Sequence, residues 1–162
     1  MKNRVSFLRL ISELENDIEI LSELMKKYKK INAKIKRIKP DEFDWASLGF
    51  VIHNVYNLLE NYFLRVSKYF ENDLDSASWH KDLVNRMSLE IEDVRPRLFD
   101  RNLAEKINEL RAFRHIFRFI YQSDLDIEKL KALNVKLPEI IKRFNNCHGH
   151  FIQQLRKILG SL

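Results

Sequence analysis

Glycine and proline are scarce, with three of each in 162 residues. So little turn material excludes a fold of many short strands and leaves long helices with few connections. The one cysteine, Cys147, rules out an internal disulfide and fits a reducing, cytoplasmic setting. A lone thiol can act as nucleophile or metal ligand, but in a helix it is more commonly a small core residue. No apolar run approaches the roughly 20 residues that span a bilayer, so no membrane association is expected. Met1-Lys2-Asn3-Arg4 is not followed by the apolar region and cleavage site of a secretory signal. Also missing are a Gly-rich phosphate loop, a Ser-His-Asp or Cys-His arrangement and a helical His-Glu-x-x-His, so no cofactor is expected. His148-Gly149-His150 looks like a metal pair. Residues two apart on a helix lie about 200° apart, however, so no metal site is assigned.

What is present is a chain with 45% hydrophobic and 32% charged residues, suited to one globular domain over residues 1–162. Its net charge of +6 points to nucleic acid or an acidic protein as partner. Between Lys26 and Lys39 lie eight Lys and Arg residues and no acid. Cations suit a helix C-terminus, and the same run could extend a nucleic-acid footprint.

Hydrophobic periodicity predicts an all-α up-and-down bundle of about five helices. The first spans Val5 to Ile38, with Ile11, Leu14, Ile18, Leu21, Met25, Tyr28 and Ile35 as its apolar stripe. The second spans Asp44 to Phe70. Within it His53 reads as a hydrogen-bonding residue, and Glu60 either pairs with an arginine of the central helix or faces water. A third helix runs from Trp79 to Glu92 and buries Ile91. Asp100 caps the central helix, which continues to Tyr121. A short helix, Ile127 to Leu133, precedes a last one in which Pro138 is a first-turn residue, ending near Leu159.

The central helix carries the most specific pattern. At about 100° per residue, Leu110, Phe113, Ile116, Phe117 and Ile120 form an apolar stripe. Arg111, Arg114, His115, Arg118, Tyr121 and Gln122 share an opposite arc of roughly 120°. Like charges so concentrated need an anion, an acidic partner or open water against them. Arginine's planar fork suits phosphate oxygens, although a plain solvated face would show the same pattern.

Arg114-His115-Ile116-Phe117-Arg118-Phe119-Ile120-Tyr121 resembles the Arg-x4-His-x-Tyr motif of the HEPN superfamily, in particular the HepT-like toxins of HEPN/MNT toxin–antitoxin pairs. Leu125-Asp126, His53-Asn54-x-Tyr56-Asn57-x-x-Glu60 and Trp79-His80-Lys81-x-Leu83 extend the likeness from about Asp44 to Leu133. The resemblance implies a dimeric, metal-independent endoribonuclease in a type VII-like system. Its nucleotidyltransferase antitoxin, MNT, would neutralise it by AMP transfer to Tyr121. In this chain Phe119 occupies the motif-histidine position, and phenylalanine cannot carry a proton. The roles therefore fall to Arg114 and Arg118 on phosphate, His115 as proton carrier and Arg111 as a further phosphate contact. Two alternatives compete. One is a HEPN protein that binds RNA or the nucleotidyltransferase without cleaving; the other uses the basic face to dock an acidic protein.

Overall fold

The computed structural model describes residues 3–37, 39–71, 79–118 and 126–162, the side chains of 79–81 and 115–118 excepted. Among them are five helices and no strand: α1 (Arg4–Arg37), α2 (Glu42–Phe70), α3 (Trp79–Met87), α4 (Arg101–Arg118) and α5 (Ile127–Gly160). The all-α bundle is as the periodicity implies.

The α1 stripe turns inward as expected. Ile11, Leu14, Leu21, Tyr28 and Ile35 are buried, and Ile18 and Met25 are packed against the core. Asp41 and Asp44 start α2 by a reciprocal capping box: Asp44 N donates to Asp41 Oδ1 at 2.9 Å and Asp41 N to Asp44 Oδ2 at 3.0 Å. Along α2, Tyr62 and Phe63 meet Phe144 of α5 edge-on, and Phe63 also meets Phe99 just before α4. Asp100 caps α4 by accepting from Leu103 N at 2.8 Å. Ion pairs tie α4 to α5, from Arg143 to Asp100 at the start of α4 and from Lys136 to Glu109 midway along it.

α1 and α2 begin within two residues of the sequence expectation, and two boundaries differ by more. First, α3 ends at Met87 rather than Glu92, and Ile91 is only half-buried. The buried Arg95 stops it: its guanidinium donates to the carbonyls of Arg86, Leu89 and Pro96 and to Glu71, tying off the last turn. Asp93, at φ 60, and a bridge between Ile91 and Arg95 complete the reversal.

Second, the expected short and last helices are one helix, with Pro138 inside it. A proline there leaves the carbonyl four residues earlier without its donor. That carbonyl belongs to Asn134. The Tyr28 hydroxyl of α1 lies 3.1 Å from it and 2.6 Å from Asn134 Oδ1, and it donates to the pair. Asn134 Nδ2 in turn donates to Asn32 Oδ1 at 2.9 Å. Leu130, Leu133, Leu137, Ile140, Ile141 and Phe144 then form one unbroken buried stripe across the proline. Burial of that stripe and the borrowed donor together offset the lost backbone bond.

Candidate functional site

The apolar side of α4 is built as its spacing implies: Leu103, Ile107, Leu110 and Phe113 are all buried. The opposite face begins at Arg111. Its Nε donates to Asn108 Oδ1 at 3.1 Å, and Asn108 Nδ2 donates to Asn85 Oδ1 of α3 at 3.1 Å. Arg111 is thus half-buried and steered by its own helix.

Arg114 is more constrained. Its Nη1 donates to both carboxylate oxygens of Glu60 on α2, each at 2.7 Å. The side chains are 16% and 8% exposed, so this is a largely desolvated ion pair in the α2/α4 seam. Of the two fates open to Glu60, pairing with the central helix is the one adopted. It supplies, within the chain, the anion that clustered guanidiniums require. The pair leaves donor capacity over, because Arg114 Nε is buried and has no hydrogen-bond partner among the described residues.

Tyr56 stands one helical turn before Glu60 and completes the seam. Burial is the chief cause that raises its phenol well above the ordinary range, and the Glu60 carboxylate adds to it; Arg111 and Arg114 pull the other way. The phenol therefore remains protonated and neutral, and its buried hydroxyl makes no hydrogen bond among the described residues. Still earlier on α2, Asn57 Nδ2 donates to His53 Nε2 at 3.0 Å, the hydrogen-bonding role expected of His53. Tyr56 was not singled out from sequence as a site residue. The signal was there in its separation of four from Glu60, which puts both on one helical face.

The helical backbone of α4 carries His115 and Arg118 onward from this seam, but their side chains lie outside the described residues, as do Phe119 and Tyr121. The structure thus brings together Arg111, Arg114, Glu60 and Tyr56.

Elsewhere, α5 runs unbroken through Gly149, giving its two histidines different surroundings. His148 Nδ1 lies 2.8 Å from the Tyr62 hydroxyl, whereas His150 is exposed. Cys147 packs against the core, and burial, with Asp100 beside it, pushes its thiol up. An open groove of about 560 Å³ between α1 and α2 includes Arg9, Glu13, Asn61, Arg65 and Lys68 in its lining. Arg65 there is held by Glu13 and Asp17. No described helix is long and apolar enough to cross a membrane.

Comparison with known proteins adds one match. The profile of a family described as HepT-like protein covers residues 47–155, from the second turn of α2 through α3 and α4 into the last third of α5. No curated protein and no solved structure matches the chain.

Proposed function

Because this chain belongs to the HepT-like family, we propose that it is the toxin component of a type VII-like HEPN/MNT toxin–antitoxin pair. It acts on RNA as a homodimer, and a nucleotidyltransferase antitoxin neutralises it by AMP transfer. The observation that supports this most is Arg114. The motif arginine is fixed by Glu60 at 2.7 Å, yet its Nε has no partner among the described residues. That Nε lies inside the seam, so what Glu60 fixes is the place of the positive charge, which acts on a phosphate at the surface through its field rather than by that donor.

The chemistry is transesterification. The ribose 2′-oxygen attacks the adjacent phosphorus, the bond to the 5′-oxygen breaks, and a 2′,3′-cyclic phosphate results. His115 accepts the 2′-hydroxyl proton, and His115 of the second copy delivers one to the departing 5′-oxygen. Two copies facing across a cleft thus supply the acid and the base that one imidazole cannot supply together. Arg114 and Arg118 stabilise charge building on the phosphate oxygens, and Arg111 holds a neighbouring phosphate. Tyr121 is the AMP acceptor. Its phenol oxygen attacks the α-phosphate of ATP on the antitoxin and expels pyrophosphate. The phosphate it then carries faces the arginines and blocks the RNA path.

A second function, RNA or antitoxin binding without cleavage, is favoured by one observation: Phe119 stands where the motif histidine belongs. A single assay separates the two. Purified chain is incubated with single-stranded RNA in chelator, and products are resolved beside a gel-shift of the same mixture. Cleavage that His115→Ala and Arg118→Ala abolish, with unchanged melting temperatures, supports the toxin. A shift without cleavage supports the binding protein, and neither effect rejects both. Arg114→Ala alone is a poor probe, because it strands Glu60 in a desolvated seam.

A further inference from the structure

The chain's basicity is not spread over its surface. The whole carries +6, and the segment Lys26–Lys39 alone carries +8, so the remaining residues sum to −2. The positive field belongs to the end of α1.

All eight of these cations are exposed. On the helical projection, Tyr28, Ile31 and Ile35 face the core, while Lys26, Lys27, Lys29, Lys30, Lys34, Lys36 and Arg37 occupy the outer arc of roughly 180°. Lys26 pairs with Glu23, and Lys34 with Asp44 of α2. The other six have no ion-pair partner among the described residues. The helix dipole explains cations in the last turn, here Lys34, Lys36 and Arg37. It does not reach Lys26, Lys27, Lys29 or Lys30, which lie two to three turns back. Like charges at such spacing repel one another unless a polyanion lies along them.

An aromatic stands at the end of this track. Phe43, in the first turn of α2 beside the Asp44 that Lys34 grips, is 72% exposed. The neighbouring acids Asp41 and Asp44 are turned to each other in the capping box, leaving Glu42 as the exposed negative charge outside it.

We propose that the outer face of α1 from Lys26 to Arg37, with Phe43 at its end, is a contact surface for a strand of RNA, distinct from the α4 face. Lys27, Lys30 and Arg37 span about 15 Å along the helix axis, a length that tracks several phosphates of one strand. Phe43 stacks a base, which a cationic surface alone does not do. The inference rests on the RNA-acting function proposed above, and extends it by saying where the strand runs beyond the reactive site.

The test uses the full chain carrying Lys27→Gln, Lys30→Gln, Lys36→Gln and Arg37→Gln together, and fluorescence anisotropy with a labelled mixed-sequence single-stranded RNA across a salt series. The expected result is at least a tenfold loss of affinity and a salt dependence flatter by about 0.7 per lost contact, with an unchanged melting curve. Phe43→Ala is expected to weaken binding several-fold without altering the salt slope. Wild-type affinity and slope in the quadruple variant overturn the proposal. So does a polyglutamate peptide that competes as well as RNA, since an acidic protein would then be the better occupant. Arg111→Gln/Arg118→Gln separates the two surfaces. If it abolishes RNA binding while the quadruple variant binds normally, the α4 function stands and this inference falls. If only the quadruple variant loses RNA, the inference stands and the α4 face is not the RNA site.

Discussion

Glu60 and Arg114 form an ion pair across the α2/α4 seam. Both are largely removed from water, and Arg114 Nη1 lies 2.7 Å from each carboxylate oxygen of Glu60. Glu60→Gln leaves the guanidinium facing a neutral amide. Breaking such a pair is expected to cost about 3 kcal/mol, read as a lowered urea midpoint. The double variant Glu60→Gln/Arg114→Met should recover most of that loss, because no uncompensated charge remains; a double variant as unstable as the single one contradicts this. His148 is the second residue whose charge matters. Burial holds its ring below the ordinary value near 6.5, and Glu15 offsets this only in part. A depressed histidine favours the neutral folded form, so its contribution is present above 6.5 and is lost as pH falls towards the folded value. The wild-type melting temperature should therefore fall between about pH 7.5 and about pH 5.5, and His148→Gln should flatten that dependence. Asp17, its carboxyl raised chiefly by burial despite Arg65, acts in the opposite direction at lower pH.

At the scale of the element, the helices were legible wherever a continuous apolar stripe met a capping residue. Ile11 to Ile35 marked α1, and Asp100 marked the start of α4. Pro138 misled because the rule that places proline in a first turn is local, whereas its compensation comes from Tyr28, 106 residues from Asn134 in the chain. Arg95 was unreadable for the same reason: only tertiary structure shows that a guanidinium in a connector closes the end of α3. Arg111 and Arg114 were legible as one face of α4, and the pairing of Glu60 with a central-helix arginine only as one of two open alternatives. Helical projection places them opposite Leu110 and Phe113, and it cannot say that α2 brings Glu60 and Tyr56 against that side. The proline compensation can be measured by a double-mutant cycle. Tyr28→Phe should cost about 1 kcal/mol in the wild-type chain. In a Pro138→Ala background, where the Asn134 carbonyl regains a backbone donor, it should cost measurably less. Equal costs in the two backgrounds would show that Tyr28 is not supplying the missing donor.

For the whole molecule, the family match and the concentration of positive charge fall on different parts of the chain. The match covers α2 to α5 and says nothing of α1, where the positive charge is concentrated. A molecule that engages RNA through α4 and steers it along α1 should bind less tightly as salt rises, and should still do so when the reactive residues are removed. The measurement that tests the central claim most directly is RNA cleavage, in chelator, by the wild-type chain and by Phe119→His. Restoring an imidazole at the motif position is expected to raise the rate by about 10²–10⁴-fold and to give 2′,3′-cyclic phosphate ends, with the gain lost again on Arg118→Ala. If Phe119→His neither cuts RNA nor retards it on a gel while melting like the wild type, the α4 face is not an RNA-cleaving site.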